Sequence, residues 1–176
     1  MLMLFAVVLV VSGALVAGAA WGIYGRLPDR LEGFLVALAG GALLLSVTTG
    51  LVDAISVLGL GKVFTANMTG NIMFLGFAAV GTPGFAPLSY VVAILAFMTG
   101  ALVAGRVGKG HEGRPMRRWL LIAALVEAGL LWIAAAVAIG FDPASPSPDG
   151  RLQAIIALTA IAMGFRNATI RQLKVP

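Results

Sequence analysis

The sequence predicts an all-α fold, a polytopic transmembrane helical bundle with six spans. Three observations lead there. Of the 176 residues, 60% are hydrophobic and only 11% are charged, whereas a soluble globular domain carries about 25% charged residues. The apolar residues fall into runs about as long as a bilayer is thick, separated by short Pro- and Gly-bearing loops. The Lys and Arg behind the net charge of +5 sit between those runs, as topology signals do and as a nucleic-acid surface does not. With no cysteine, thiolate metal sites, disulfides and cysteine nucleophiles are excluded. The single His, His111, stands in a charged loop and is read as solvated.

Met1–Tyr24 is apolar throughout and about 36 Å long as a helix, enough to cross a bilayer. Ala17-Gly18-Ala19 resembles a signal-peptide cleavage site, but the start lacks the basic residues of a signal. The segment is therefore read as an extra retained helix, with a cleaved signal or an early start codon as alternatives. A polar loop with Pro28 follows, then a second span from Gly33 to about Val57.

Gly50–Asn71, GLVDAISVLGLGKVFTANMTGN, is the unusual stretch. It holds Asp53, Lys62, Thr65, Asn67, Thr69 and Asn71 together with four glycines. Polar side chains and helix-weakening glycines between apolar runs suggest a broken helix lining a path. The apolar run after it, Met68–Val80, has 13 residues, short for a full span. It is counted as a crossing here; a re-entrant course would reverse the parity of everything on one side of it.

Leu88–Gly105 is the next span, with Ala101 and Gly105 as a small-xxx-small packing pair. The Arg106–Arg118 loop is the most basic. Trp119–Gly140 carries a deep acid, Glu127, and the proline-rich Phe141–Gly150 loop is exposed. The last span runs from Arg151 to about Phe165, after which Arg166, Arg171 and Lys174 read as interface markers whose side chains snorkel to headgroups. With six crossings and the Arg106–Arg118 loop in the cytoplasm, nine Lys or Arg, Lys62 included, fall on that side and three on the other.

Gly50-Leu-Val-Asp53-Ala54 and Gly164-Phe-Arg-Asn167-Ala168 share the pattern G-x-x-[DN]-A, which suggests a parallel internal repeat. The Gly50–Asn71 stretch closely resembles the signature of the YoaK-like family of bacterial integral membrane proteins, a domain of unknown function. The resemblance continues through AFMTGALVAG, the basic loop before RRWLL, and MGFRNATIRQLKVP, covering roughly Gly33–Pro176. The family usually continues beyond the Val-Pro with a Thr-rich segment and two more spans. The resemblance therefore implies a membrane domain at 33–176 that is incomplete at its C-terminus, and a bacterial inner-membrane location. It implies no biochemical activity.

The candidate solute or ion path comprises Asp53, Asn67, Thr69, Asn71, Glu127 and Asn167. A charge in mid-membrane costs about 2.5–3.5 kcal/mol on insertion scales, so Asp53 and Glu127 need a reason to be there. Asn67 or Thr69 alternatively caps the helix beginning at Met68 or Gly70, and Arg166 alternatively reaches Asp53. No H-E-x-x-H, G-x-S-x-G or P-loop pattern occurs, so no enzyme, cofactor or metal site is expected. The expected activity is passage of a small polar solute by a transporter or permease; the alternative is a membrane scaffold or complex subunit. The partners expected are the lipid bilayer and that solute, with a homo-oligomer left open.

Overall fold

The computed structural model describes residues 31–110, 116–142 and 150–172. They form five helices: α1 (Leu31–Gly59), α2 (Met68–Ala79), α3 (Pro87–Lys109), α4 (Met116–Val137) and α5 (Gly150–Gln172). Four of these, all but α2, contain stretches long and apolar enough to cross a membrane. The count of six spans is not supported. Met1–Tyr24 lies outside the described residues, and α2 has 12 residues, about 18 Å against a hydrocarbon core of about 30 Å.

α3 and α5 run parallel and form the closest helix contact. At one end Gln153 donates to Ser89 Oγ at 3.0 Å; at the other, Gln172 donates to the Ala104 carbonyl at 3.2 Å. Between these points the backbones touch, because a Cβ on Gly100 would overlap the Ile161 carbonyl and one on Gly164 would overlap that of Phe97. Small residues let dispersion and Cα–H contacts act at short range where no hydrophobic effect drives helices together. The pair that packs is therefore Gly100 and Ala104, both buried, and the expected Ala101–Gly105 pair lies one position off that face. α4 runs antiparallel to both. Its end is held by Arg151 of α5, whose guanidinium donates to the Val137 and Ile139 carbonyls at 3.1 and 2.6 Å. At its start Trp119 packs on Phe165 with ring centroids 6.0 Å apart.

α1 runs opposite to α3 and α5. A Schellman cap closes it, with Lys62 N–H donating to the Val57 carbonyl at 3.0 Å around Gly61 at φ 79. The chain then folds back beside the helix it has just left. Thr65 Oγ1 lies 3.0 Å from Ser56 Oγ, so the non-helical leg 60–67 has retreated about 5 Å below the end of α1. α2 returns toward the level of that end, where Lys62 Nζ sits 4.9 Å from the Phe85 ring centroid. Leu60 and Val63 share one core with Tyr90, Ala138 and Ile155, and Phe85 packs against it. The segment Leu60–Val80 is thus a re-entrant hairpin that enters and leaves at one end of the bundle. Lys62 and Arg151 occupy this hairpin end. Arg106, Lys109 and Arg171 close α3 and α5 at the opposite, basic end, where Arg118 opens α4. This corrects the expected crossing by Met68–Val80, which placed Lys62 on the same side as the Arg106–Arg118 loop.

The internal repeat is not supported either. Gly50–Ala54 and Gly164–Ala168 both lie within helices, but Asp53 is buried and bonded to the leg after α1, whereas Asn167 is exposed.

Two tests follow from this packing. Gly100→Ala should lower stability by about 1–3 kcal/mol, as overpacking does, while Gly105→Ala, with open space at its Cβ position, should be nearly silent in detergent unfolding titrations. Because the chain has no cysteine, Lys62→Cys and Thr82→Cys can each be labelled singly. A membrane-impermeant maleimide should reach both from the same face of sealed vesicles, and labelling from opposite faces would restore α2 as a crossing.

Candidate functional site

Two polar clusters lie within the apolar bundle. The first is the inside of the hairpin. Asp53 points back from α1, and its Oδ1 accepts the backbone N–H groups of Thr65 and Ala66 at 2.9 and 2.8 Å. Its residue exposure is 8%. These amides belong to a non-helical segment with no ladder to satisfy them, and in an apolar medium each unmet donor is costly. Asn71, fully buried on α2, serves the other leg. Its Oδ1 accepts from Phe64 N–H at 2.9 Å, and its Nδ2 donates to the Phe64 carbonyl at 2.6 Å. One amide side chain therefore stands in for a strand partner. Phe64 in turn stacks on Phe74 at 5.5 Å and lies where a Cβ on Gly70 would fall. Asn67 caps α2 through a long 3.4 Å bond from Gly70 N–H.

The second cluster joins three helices. Arg166 of α5 is 5% exposed at its side chain and pairs with Glu127 of α4, which is 3% exposed. Arg166 Nε donates to Glu127 Oε1 at 2.8 Å, and Nη2 donates to the same oxygen. Nη1 donates to the hydroxyls of Thr48 and Thr49 on α1, each at 3.3 Å. Those hydroxyls pass their own protons to the Leu45 carbonyl at 3.0 and 2.7 Å, so their lone pairs face the guanidinium. The cluster is neutral overall, with each charge buried beside the other.

Of the six predicted path residues, the structure assigns Asp53, Asn67 and Asn71 to holding the hairpin, and Glu127 to the ion pair. Thr69 and Asn167 are exposed on the helix surface. The sequence reading misplaced Arg166. It is neither an interface marker nor the partner of Asp53, because α5 continues past it and its head group turns inward to Glu127. The available signal was Glu127 itself: a buried acid in a span needs a cation, and an Arg directly after the next span's expected end is within reach. The roles of Thr48 and Thr49 were missed altogether, since hydroxyls facing the i−3 or i−4 carbonyl are common in apolar helices. Gln153 Oε1, near the hairpin end, is buried without a partner among the described residues.

Residues 41–176 match the family model described as "Protein of unknown function (DUF1275)". The chain is 33% identical over 132 residues to the "UPF0700 transmembrane protein YoaK" of Bacillus subtilis (strain 168). That alignment covers 74% of this chain and 55% of the relative, so the chain spans about half of the relative's length. No solved structure matches the chain significantly.

Breaking a buried pair leaves an uncompensated charge at a cost of about 3–5 kcal/mol. Glu127→Leu and Arg166→Met should each destabilise on that scale, and the double variant should recover most of the loss. A double-mutant cycle in unfolding free energy measures the coupling; additive losses would mean that the two side chains do not interact.

Proposed function

Since the chain belongs to the YoaK-like, DUF1275 family of integral membrane proteins of unknown function, we propose that it acts as a transporter or permease for a small polar solute, with its path centred on Glu127 and Arg166. The observation that carries this reading is the ion pair buried between three apolar helices. Ionisable groups inside a membrane are expensive and mark substrate or ion pathways. Beside it lies a re-entrant hairpin, a form of backbone found at membrane depth only where protein buries it or it lines a water-filled cavity. The unpartnered Gln153 Oε1 adds a polar atom for which water or solute is the natural partner.

Orientation follows from the basic end. Among the described residues, Arg106, Lys109, Arg118 and Arg171 stand at that end and Lys62 and Arg151 at the other, with Arg166 inside the bundle. This asymmetry supports reading the basic end as the cytoplasmic one, in a bacterial inner membrane.

A scaffold or subunit role is the second reading. It is favoured by Asp53 and Asn71, whose polar atoms are engaged within the chain. Flux in proteoliposomes separates the two. Transport predicts solute counterflow that Asp53→Asn largely keeps, because the amide oxygen still accepts from Thr65 and Ala66. Glu127→Leu/Arg166→Met, though folded, should reduce it at least about tenfold, the equivalent of 1.4 kcal/mol. A folded protein that moves no member of a broad solute panel would leave the scaffold.

A further inference from the structure

The geometry of the ion pair says which solute the site takes. Arg166 presents the Nε–Nη2 edge of its guanidinium to Glu127. That edge carries two parallel N–H groups whose spacing matches the two oxygens of one carboxylate. Glu127 meets both with a single oxygen, Oε1. The fork is thus closed by half of a carboxylate. On its other side the guanidinium is held by Thr48 and Thr49, independently of Glu127. If Glu127 withdraws, Arg166 keeps its place and exposes an unfilled fork.

We propose that Arg166 is the binding group for a monocarboxylate solute, that Glu127 occupies this site in the empty protein, and that one proton taken up by Glu127 frees the site for each solute anion bound. This deepens the transport reading and rests on it. The charge balance selects the stoichiometry. With Glu127 ionised, the pair is neutral. With Glu127 protonated and one monoanion on Arg166, it is neutral again, so loading adds no net charge to a low-dielectric interior. A dianion such as succinate, or doubly charged phosphate, would leave an unbalanced negative charge there, at the cost that keeps isolated ions out of membranes.

No other described ionisable group shares the site. α1 faces the pair with the two neutral hydroxyls, and its Asp53, more than one turn away, is engaged with the Thr65 and Ala66 amides. On α3, Arg106 and Lys109 lie exposed in the last turn. On α4, Arg118 is exposed near the start; on α5, Arg171 is exposed beyond Arg166. Glu127 is therefore the acid whose protonation Arg166 senses directly.

The test is calorimetric titration of the detergent-purified chain with acetate, lactate and benzoate, with succinate and inorganic phosphate as comparison probes. Each titration is run in two buffers of different ionisation enthalpy, so that proton uptake is read from the wild type without any variant. The expected result is binding of a monocarboxylate with about one proton taken up, and affinity falling about tenfold per pH unit once Glu127 is ionised. Glu127→Gln, which mimics the protonated acid, should bind with an affinity independent of pH and take up no proton. Arg166→Gln should not bind. Preference for phosphate or succinate, binding without proton uptake, binding that survives Arg166→Gln, or no monocarboxylate binding at any pH would each overturn the proposal. Proteoliposome flux keeps the two claims apart. Movement of a solute by a protein that binds no carboxylate leaves transport standing and removes this site; carboxylate binding without flux does the reverse.

Discussion

Glu127 and Arg166 impose the constraint around which the bundle is arranged. Neither is tolerable alone in an apolar interior, and together they need hydroxyls to satisfy the remaining guanidinium donors. α4 brings the acid, α5 the base and α1 the threonines, so three helices meet at one point. Apolar helices in lipid have no hydrophobic reason to choose one another, and a charge pair is a specific reason. The pair sits where α5 also touches α3 through glycine, which fixes the depth at which Arg166 must find its partner.

The hairpin answers a second constraint of the same kind. Breaking the helix after Gly59 releases backbone donors and acceptors that lipid cannot satisfy. Asp53 and Asn71 take up those of Thr65, Ala66 and Phe64. What draws attention in the sequence as a cluster of reactive-looking side chains is thus largely the internal bonding of a short irregular segment. Its consequence for function is positional. By entering and leaving at one end, it turns α3 and all that follows, so that the basic loop and the start of α1 share a side.

A proton-linked exchange of Glu127 for a solute carboxylate would use both features. The hairpin end holds buried polar atoms on the side away from the basic loop, and the ion pair lies between the two ends. The threonines keep Arg166 in place through the exchange, which needs only the carboxylate to move.

The sequence by itself determined the solvent and the spans. Composition required a membrane, and apolar run length located α1, α3, α4 and α5 to within several residues, because a helix needs about 20 apolar residues to cross the hydrocarbon core. It also marked Gly50–Asn71 as a break and Glu127 as a buried acid. It could not say that the chain after the break turns back, since a short apolar helix looks the same whether it crosses or returns. Nor could it pair Glu127 with Arg166. An Arg near the end of an apolar run reads as a boundary marker, and only the close approach of α5 to its neighbours turned its head inward. The tertiary structure decided these points because the partner of a buried charge is set by distance between helices, and hydropathy along one helix holds no record of that distance.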